Sequence, residues 1–385
     1  SDVCSSDLPL ATLWIVASKS GRTVESLAYQ ADTRFRVEAA LRRQGADESP
    51  DQLMIAITDP GKSEEAIPHH EEFREVFLNP VDIGGRYSAL SYPGLVPAAI
   101  AGVDLDALLA SAGQALAGSR EPEPTRNAAV VLGLALGVLA RSGRDKLTLV
   151  VDPEIGTFGA WVEQLVAEST GKHGVGIVPV DGEPLGRVED YGSDRLFVRV
   201  TLADGIAPRC ADGSPVDARL EALAAAGHPV LSWEVDDPID IGAEFVRWEF
   251  ATAVAGVALG INPFDEPNVT ESKQNTAAVL AELAATGALP SLPVRCEADG
   301  LSLWVDDALP SAFADSAERL VAGQLDRLVE RGYIGIQAYL AATPERSAEL
   351  ERLRTLLRDR TRRATTVGYG PRFLHSTGQL HKGGA

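Results

Sequence analysis

The chain has 385 residues, room for two to three domains of roughly 150 residues each. It carries 35 basic against 55 acidic residues, a net charge of −20, so its surface would repel nucleic acid before contact formed. Hydrophobic residues at 45% and charged residues at 23% describe a folded globular chain rather than a disordered one.

Apolar runs stay below the 18 or so residues of a membrane span; the longest, 128–140 and 251–261, are rich in Gly and Ala. The first residues do not read as a secretory signal. Cys4, Cys210 and Cys296 lie far apart. That spacing argues against a disulfide framework and a cysteine zinc site, and it fits a reducing cytoplasm. Residues 1–8 read as non-native sequence ahead of an apolar strand, and both ends look cut.

In chain order, strands are predicted at 12–17, 53–58, 76–79, 146–152, 176–180, 195–202 and 229–234. Several are continuous Val/Ile/Leu runs, as in parallel strands buried on both faces. Helices are predicted at 23–43, 88–116, 127–141, 158–169, 217–225 and 243–259. The alternation predicts α/β architecture with doubly wound parallel sheets. A polar stretch with two prolines, 117–124, reads as a linker. Asp299-Gly300 predicts a hairpin within 293–306. Residues 311–363 read as mostly charged amphipathic helix whose Glu/Arg pairs face solvent. The expected division is 1–117, 118–290 and 291–385.

Three segments carry chemistry. Ala17-Ser18-Lys19-Ser20-Gly21-Arg22-Thr23 sits between a strand and a helix N-terminus. Backbone N–H groups and the positive helix end attract a phosphate there, and three hydroxyls can donate to its oxygens. The competing reading is plain N-capping by Ser20 or Thr23. Ile83-Gly84-Gly85-Arg86-Tyr87-Ser88 reads as a tight turn whose glycines reach conformations closed to other residues and present Arg86 to an oxyanion. A surface arginine in a turn is the equal alternative. Gln164 and Glu168 share one face of the helix ending at Gly171. A carboxylate held there can act as a general base; a solvated glutamate is the bland alternative.

These segments, in this order, resemble the glucose-6-phosphate isomerase family. So do Trp248-Glu249-Phe250-Ala251-Thr252-Ala253 and the segment from Gly260 to Val269, followed by Lys273. The resemblance runs from about Leu10 to the end and is nearest to the isomerase half of bifunctional transaldolase/phosphoglucose isomerase chains, tail 368–384 included. It implies two SIS (sugar isomerase) domains, each a flavodoxin-like parallel sheet, and interconversion of glucose 6-phosphate and fructose 6-phosphate without a cofactor or metal.

By position, the resemblance implies that Ser18, Lys19, Ser20 and Thr23 hold the phosphate. Arg86 would steady a cis-enediolate, Gln164 would line the site, Glu168 would move the proton, and Lys273 would serve the sugar ring. It further implies a cytoplasmic homodimer, no nucleic-acid or membrane partner, and a transaldolase domain N-terminal to this chain in its parent. A regulator that binds sugar phosphate without catalysis is the alternative from another class; an isomerase of mannose 6-phosphate is a third.

Two departures stand out. The family's ring-opening histidine follows the glutamate within a Leu-His-Ser-x-Gly-Gln string, whereas here 178–185 holds no histidine. The string recurs as Leu374-His375-Ser376-Thr377-Gly378-Gln379, so His375 is expected to open the ring, with His381 and His228 as weaker candidates. The family's first strand-turn-helix also has no counterpart before Thr12, so the first SIS domain is expected to be truncated and the chain alone poorly soluble or inactive.

Overall fold

The computed structural model describes residues 8–290, 293–298, 300–305 and 316–384. It divides into two compact units. The first comprises residues 1–117 with Ile239–Val246, the second Gly118–Pro238 with Arg247–Ala385.

In the first unit β1 (Trp14–Ala17) leads into α1 (Val24–Gln44), which stops where Gly45 adopts φ 69°. β2 (Met54–Thr58) and β3 (Glu75–Leu78) follow, and the sheet is parallel in the order β1-β2-β3. Trp14 lies opposite Met54 and Ile55 opposite Glu75. β2 is buried along its whole length, which explains its unbroken apolar run. Val16, Met54, Ala56, Ile67 and Phe73 form the core on one face.

The helix expected over 88–116 is two helices, α2 (Tyr92–Ile100) and α3 (Leu105–Gly118). Gly102, at φ 84°, turns the chain between them, and the long apolar periodicity concealed that break.

The second unit opens with α4 (Ala128–Arg141), capped by Asn127, whose side chain accepts from the Val130 N–H at 3.1 Å. Then come β4 (Lys146–Val151), α5 (Thr157–Thr170), β5 (Val178–Val180), β6 (Arg195–Leu202), α6 (Val216–Ala225) and β7 (Val230–Val235). All four strands are parallel, in the order β5-β4-β6-β7. Strand order reverses between β4 and β6, the arrangement of a flavodoxin-like sheet. Val150, Phe197, Leu220 and Leu223 are among the residues of one core cluster of this unit. α7 (Ile241–Leu259) belongs to this unit from Arg247 onward and crosses α4 so closely that a Cβ on Gly133 would lie 2.4 Å from the Ala251 carbonyl. Trp248 is fully buried on α7, as its apolar helix face implied, while Trp161 on α5 is half-buried.

α8 (Pro267–Thr286) precedes the hairpin of β8 (Cys296–Ala298) and β9 (Leu301–Leu303), with Gly300 at φ 77° in its turn; Asp299 and Asp306 lie outside the described residues. The reading of 311–363 as charged helix needs correction. After α9 (Ala317–Leu325), β10 (Tyr333–Ala338) and β11 (Ala364–Tyr369) form a parallel pair joined through α10 (Pro344–Thr361). α10 is not a solvated face throughout: Arg354 and Arg358 are buried. Arg358 approaches Glu183 at 3.5 Å, and Arg195 lies 3.2 Å from the same carboxylate, all three side chains being fully buried. The helix was misread because these arginines fill the space an apolar stripe would normally fill. Short α11 (Arg372–Ser376) and α12 (Gly378–Gly383) end the chain.

Candidate active site

In the first unit, three loops leave the carboxyl ends of β1, β2 and β3, the edge where open α/β sheets bind ligands. The Ser18 N–H continues the ladder to the Ile57 carbonyl at 3.0 Å, and its buried hydroxyl donates to Thr23 Oγ1 at 3.0 Å. Thr23 stands at the N-cap of α1, yet its side chain makes no capping hydrogen bond. Simple capping is therefore not what Thr23 does. Ser20 is exposed and its Oγ accepts from the Arg22 N–H at 3.3 Å. Gly21 has φ 63°, and a Cβ there would meet the Ser63 carbonyl oxygen at 1.8 Å, so no other residue fits this turn.

Lys19 departs from the phosphate-donor picture in part. Its ammonium contacts Asp59 Oδ2 at 2.7 Å and donates to the Val81 carbonyl at 2.8 Å. It thereby ties the loop after β1 to the loops after β2 and β3, and its charge is already partly compensated. The loop after β3 then reaches Arg86, which is buried, with its guanidinium 5.3 Å from the centroid of the Tyr87 ring. The surface-arginine alternative falls. The proposed role of the glycine pair falls as well. Gly84 has φ −69° and ψ 153°, Gly85 has no positive φ, and a Cβ on Gly85 would meet open space.

In the second unit, Gln164 donates through Nε2 to Glu168 Oε2 at 3.3 Å along one face of α5, as their spacing requires. Glu168 is half-buried, not a solvated surface side chain. α5 ends at Gly171, whose N–H bonds to the Ala167 carbonyl. A Cβ on Gly171 would lie 2.3 Å from Cα of Leu380, so this glycine both stops the helix and lets α12 approach. Lys172 follows, fully buried; its ammonium bonds to the Asn262 carbonyl at 2.8 Å and to Asp265 Oδ1 at 2.8 Å. Asp265 is thus a partner of Lys172, and the lysine holds its carboxyl below the usual range.

α11 and α12 pack against α5, and α12 also packs against α8. His375 lies on α11 and is exposed, so the C-terminal string stands at the helix that carries Glu168. Gln379, in the first turn of α12, is buried and sits between α5 and α8. Its Nε2 donates to the Gly171 carbonyl at 2.9 Å and to Asn268 Oδ1 at 2.8 Å, and its Oε1 accepts from the Asn268 N–H at 3.0 Å. Lys273 belongs to α8; its side chain lies outside the described residues. His381 is turned inward instead, its Nδ1 2.6 Å from the Tyr333 hydroxyl, and burial lowers its pKa. His228 packs edge-on against Phe197 and Tyr191, and burial lowers its pKa too.

The residues absent from the sequence reading are the supporting ones. Lys172 and Gln379 were visible only as parts of longer strings; nothing in their local spacing showed that one would bind a loop 90 residues on and the other a helix end more than 200 residues back. Nor did spacing reveal a close acidic pair, Glu163 buried and Asp181 half-buried. Asp181, just after β5, abuts the first turn of α5, where a Cβ on Gly159 would lie 2.0 Å from its Oδ1. Burial, then the neighbouring Glu163 carboxylate, pushes Asp181 up to about 6 against the pull of Arg354 and Arg372. Burial raises Glu163 as well. A cavity of about 220 Å³ opens beside Asp181, lined also by Val151, Glu183, Leu185 and Arg209, and none of the sequence-predicted site residues lines it.

No protein-family model matches the chain. Two curated relatives are glucose-6-phosphate isomerases. That of Heliobacterium modesticaldum is 31% identical over 303 residues, 69% of this chain and 66% of the relative. That of Lactobacillus helveticus is 30% identical over 299 residues, with the same two coverages of 69% and 66%. The chain thus spans just under two thirds of the length of these relatives. Among solved structures, a hypothetical protein of Thermus thermophilus superposes with a TM-score of 0.58 at 26% identity, covering 71% of this chain and 72% of that one. A glucose-6-phosphate isomerase of Chlamydia trachomatis superposes with a TM-score of 0.54 at 21% identity, covering 71% and 60%, a likeness of fold alone.

Proposed function

We propose that this chain, which belongs to the glucose-6-phosphate isomerase family, supplies the phosphate anchor and the general base of an aldose–ketose isomerase that interconverts glucose 6-phosphate and fructose 6-phosphate. The observation that carries the reading is Glu168: a half-buried carboxylate, steadied by Gln164, on a helix end locked by Gly171, Lys172 and Gln379. A protein that only sensed a sugar phosphate would need the Ser18–Thr23 loop but not this carboxylate.

In the proposed reaction Ser18, Ser20 and Thr23, with the N-terminus of α1, anchor the phosphate. Binding energy from that remote group orients the reacting carbons. His375 donates a proton to the ring oxygen as the bond from C1 to that oxygen breaks, and the C1 hydroxyl releases its proton to water as it becomes the aldehyde. Glu168 takes the C2 proton of the open aldose, the C2–H electron pair forms the C1–C2 double bond, and the carbonyl oxygen takes up the charge. Arg86 stabilises the resulting cis-enediolate; the C2 hydroxyl proton passes to the C1 oxygen, and as the C2 oxygen re-forms a carbonyl the double-bond electron pair takes back at C1 the proton that Glu168 returns. Lys273 contacts the sugar. The hydrogen moves as a proton within one carbon skeleton, so the reaction calls for no cofactor. The parent protein is proposed to be a homodimer with a transaldolase domain ahead of this chain.

The test is a coupled isomerase assay on the full-length gene product, with solvent deuterium exchange at C2 as a second readout. Isomerisation and exchange that Glu168→Gln abolishes, with phosphate-dependent binding retained, support the reading. Binding without exchange in the wild type overturns it in favour of a sensor.

A further inference from the structure

We infer that Gln379 is a positioning residue: its buried side-chain amide sets the end of the Glu168 helix against the start of α8. The inference rests on the isomerase reading above and adds a part to it. Three elements distant in sequence meet at this one group. α5 contributes the Gly171 carbonyl, three residues beyond Glu168, and α8 contributes both the N–H and the side-chain oxygen of Asn268, five residues before Lys273. α12 contributes Gln379 itself, four residues after His375. Glu168 and Lys273 therefore lie within about one and a half helical turns of the two residues that Gln379 joins, and His375 lies four residues before Gln379 itself.

The chemistry of the amide is what fits it to this place. Gly171 O and Asn268 Oδ1 are both acceptors, and the Asn268 N–H is a donor. A primary amide presents two N–H donors and one acceptor oxygen at one end, so it satisfies all three at once. A carboxylate of the same shape offers acceptors only and would face two carbonyl oxygens. The side chain is nearly fully buried, so water cannot readily take over the lost bonds. Neighbouring contacts make the same joint rigid. Lys172, the residue after Gly171, is bonded to the loop preceding α8, and the Gly174 N–H bonds to the Gly383 carbonyl at 2.8 Å. Gly171 and Gly383 leave just enough room for the helices to approach: a Cβ on Gly383 would meet Asn268 Oδ1 at 2.5 Å. A base must sit within a fraction of an ångström of its proton, so loosening this joint lowers the rate while the phosphate anchor in the other unit keeps its grip.

The experiment measures kcat and KM per folded molecule, from pH 5 to pH 8, for the full-length gene product and its Gln379→Glu variant. The expected result is a fall in kcat of tenfold or more at pH 8 with KM within twofold. The ratio to wild type should recover toward pH 5, where the introduced carboxyl regains a proton and can donate to one of the two carbonyls. A mere loss of stability would not move kcat per folded molecule in this way. Should Gln379→Glu fail to fold, Asn268→Ala decides, with a fall of about threefold in kcat at constant KM expected. Unchanged kcat, or a pH profile parallel to wild type, overturns the inference. If the wild type isomerises and Glu168→Gln is inactive while Gln379→Glu behaves as wild type, this inference alone is wrong. If the wild type neither isomerises nor exchanges the C2 hydrogen, the isomerase reading fails and takes this inference with it.

Discussion

The Ser18–Thr23 loop and the Glu168 helix end are built in opposite ways. The loop takes its ligand-facing groups locally: six consecutive residues supply its hydroxyls, its obligatory glycine and its helix terminus, and Ser18 bonds to Thr23, while the Lys19 side chain reaches out, to Asp59 and the Val81 carbonyl. The helix end is assembled from afar. Gln379 reaches it from 208 positions away, and Lys172 fixes it to a loop 90 positions on. A phosphate anchor, the role proposed for the loop, needs only to present donors to a mobile, highly charged group, and a short turn can do that. A proton-transferring carboxylate needs a fixed position, and fixing requires partners on several sides. Substitutions in the loop should therefore act on binding, and substitutions around α5 on rate or folding.

The largest effect should come from Glu168→Gln. Removing a general base costs 10²–10⁴-fold, so a fall of about 10³-fold in kcat is expected, with KM within threefold. An equal rise in KM would break the division of labour between the two regions. Next is Arg358→Met, which leaves the fully buried Glu183 with Arg195 as its remaining close cation. Urea unfolding should register a loss of about 3 kcal/mol, because breaking one side of a buried ion cluster strands a charge. Phosphate affinity per folded molecule should not change. If it did, the scaffold of one region would be reaching the other.

The same contrast governs what could be read from the sequence. The seven strands of the two larger sheets were legible from their Val, Ile and Leu content: β2, buried along its whole length, is a continuous apolar run, and β6 keeps the signal although Arg195 and Arg199 are buried within it. β10 and β11 were not, since each alternates or mixes Thr, Gly and Tyr and lies beside a helix dense in charge. α10 hides its function for a related reason, its inward face being guanidinium rather than aliphatic. Among the proposed functional residues of the two units, Ser18, Ser20, Thr23, Gln164 and Glu168 could be singled out from spacing. Their environment could not: the burial of Arg86, the Lys19–Asp59 pair and the Gln379 amide all depend on residues that meet only after folding.

A smaller effect separates the regions from the loop side. Ser20→Ala removes one hydroxyl from an exposed turn whose backbone is already set by Gly21. One lost hydrogen bond to a charged ligand should raise KM for the sugar phosphate about tenfold, about 1.4 kcal/mol, with kcat kept. Steady-state kinetics at saturating substrate check it. A fall in kcat to match would mean that the loop also orients the reacting carbons, and the contrast would narrow to one of degree.

The smallest effect tests the scaffold of α5 through pH. In the folded protein the Asp181 carboxyl titrates at about 6, raised by burial and by Glu163, against an ordinary aspartate value of 3.8. Between about pH 4 and pH 6 the folded state therefore keeps a proton that the unfolded chain has released. Stability must fall as pH rises through that window and level off above it. A shift of this size in a wholly buried group would correspond to about 3 kcal/mol, but Asp181 partly reaches water at a cavity wall, and screening reduces the expectation to about 1 kcal/mol. Asp181→Asn keeps the shape and removes the titration. The variant should match wild type at pH 4 and exceed it by about 1 kcal/mol at pH 7.5 in urea unfolding, with the phosphate loop indifferent at both. An unaltered pH slope would assign the acid response to Glu163 instead, the other carboxyl of the pair, which stands on the same helix as Glu168.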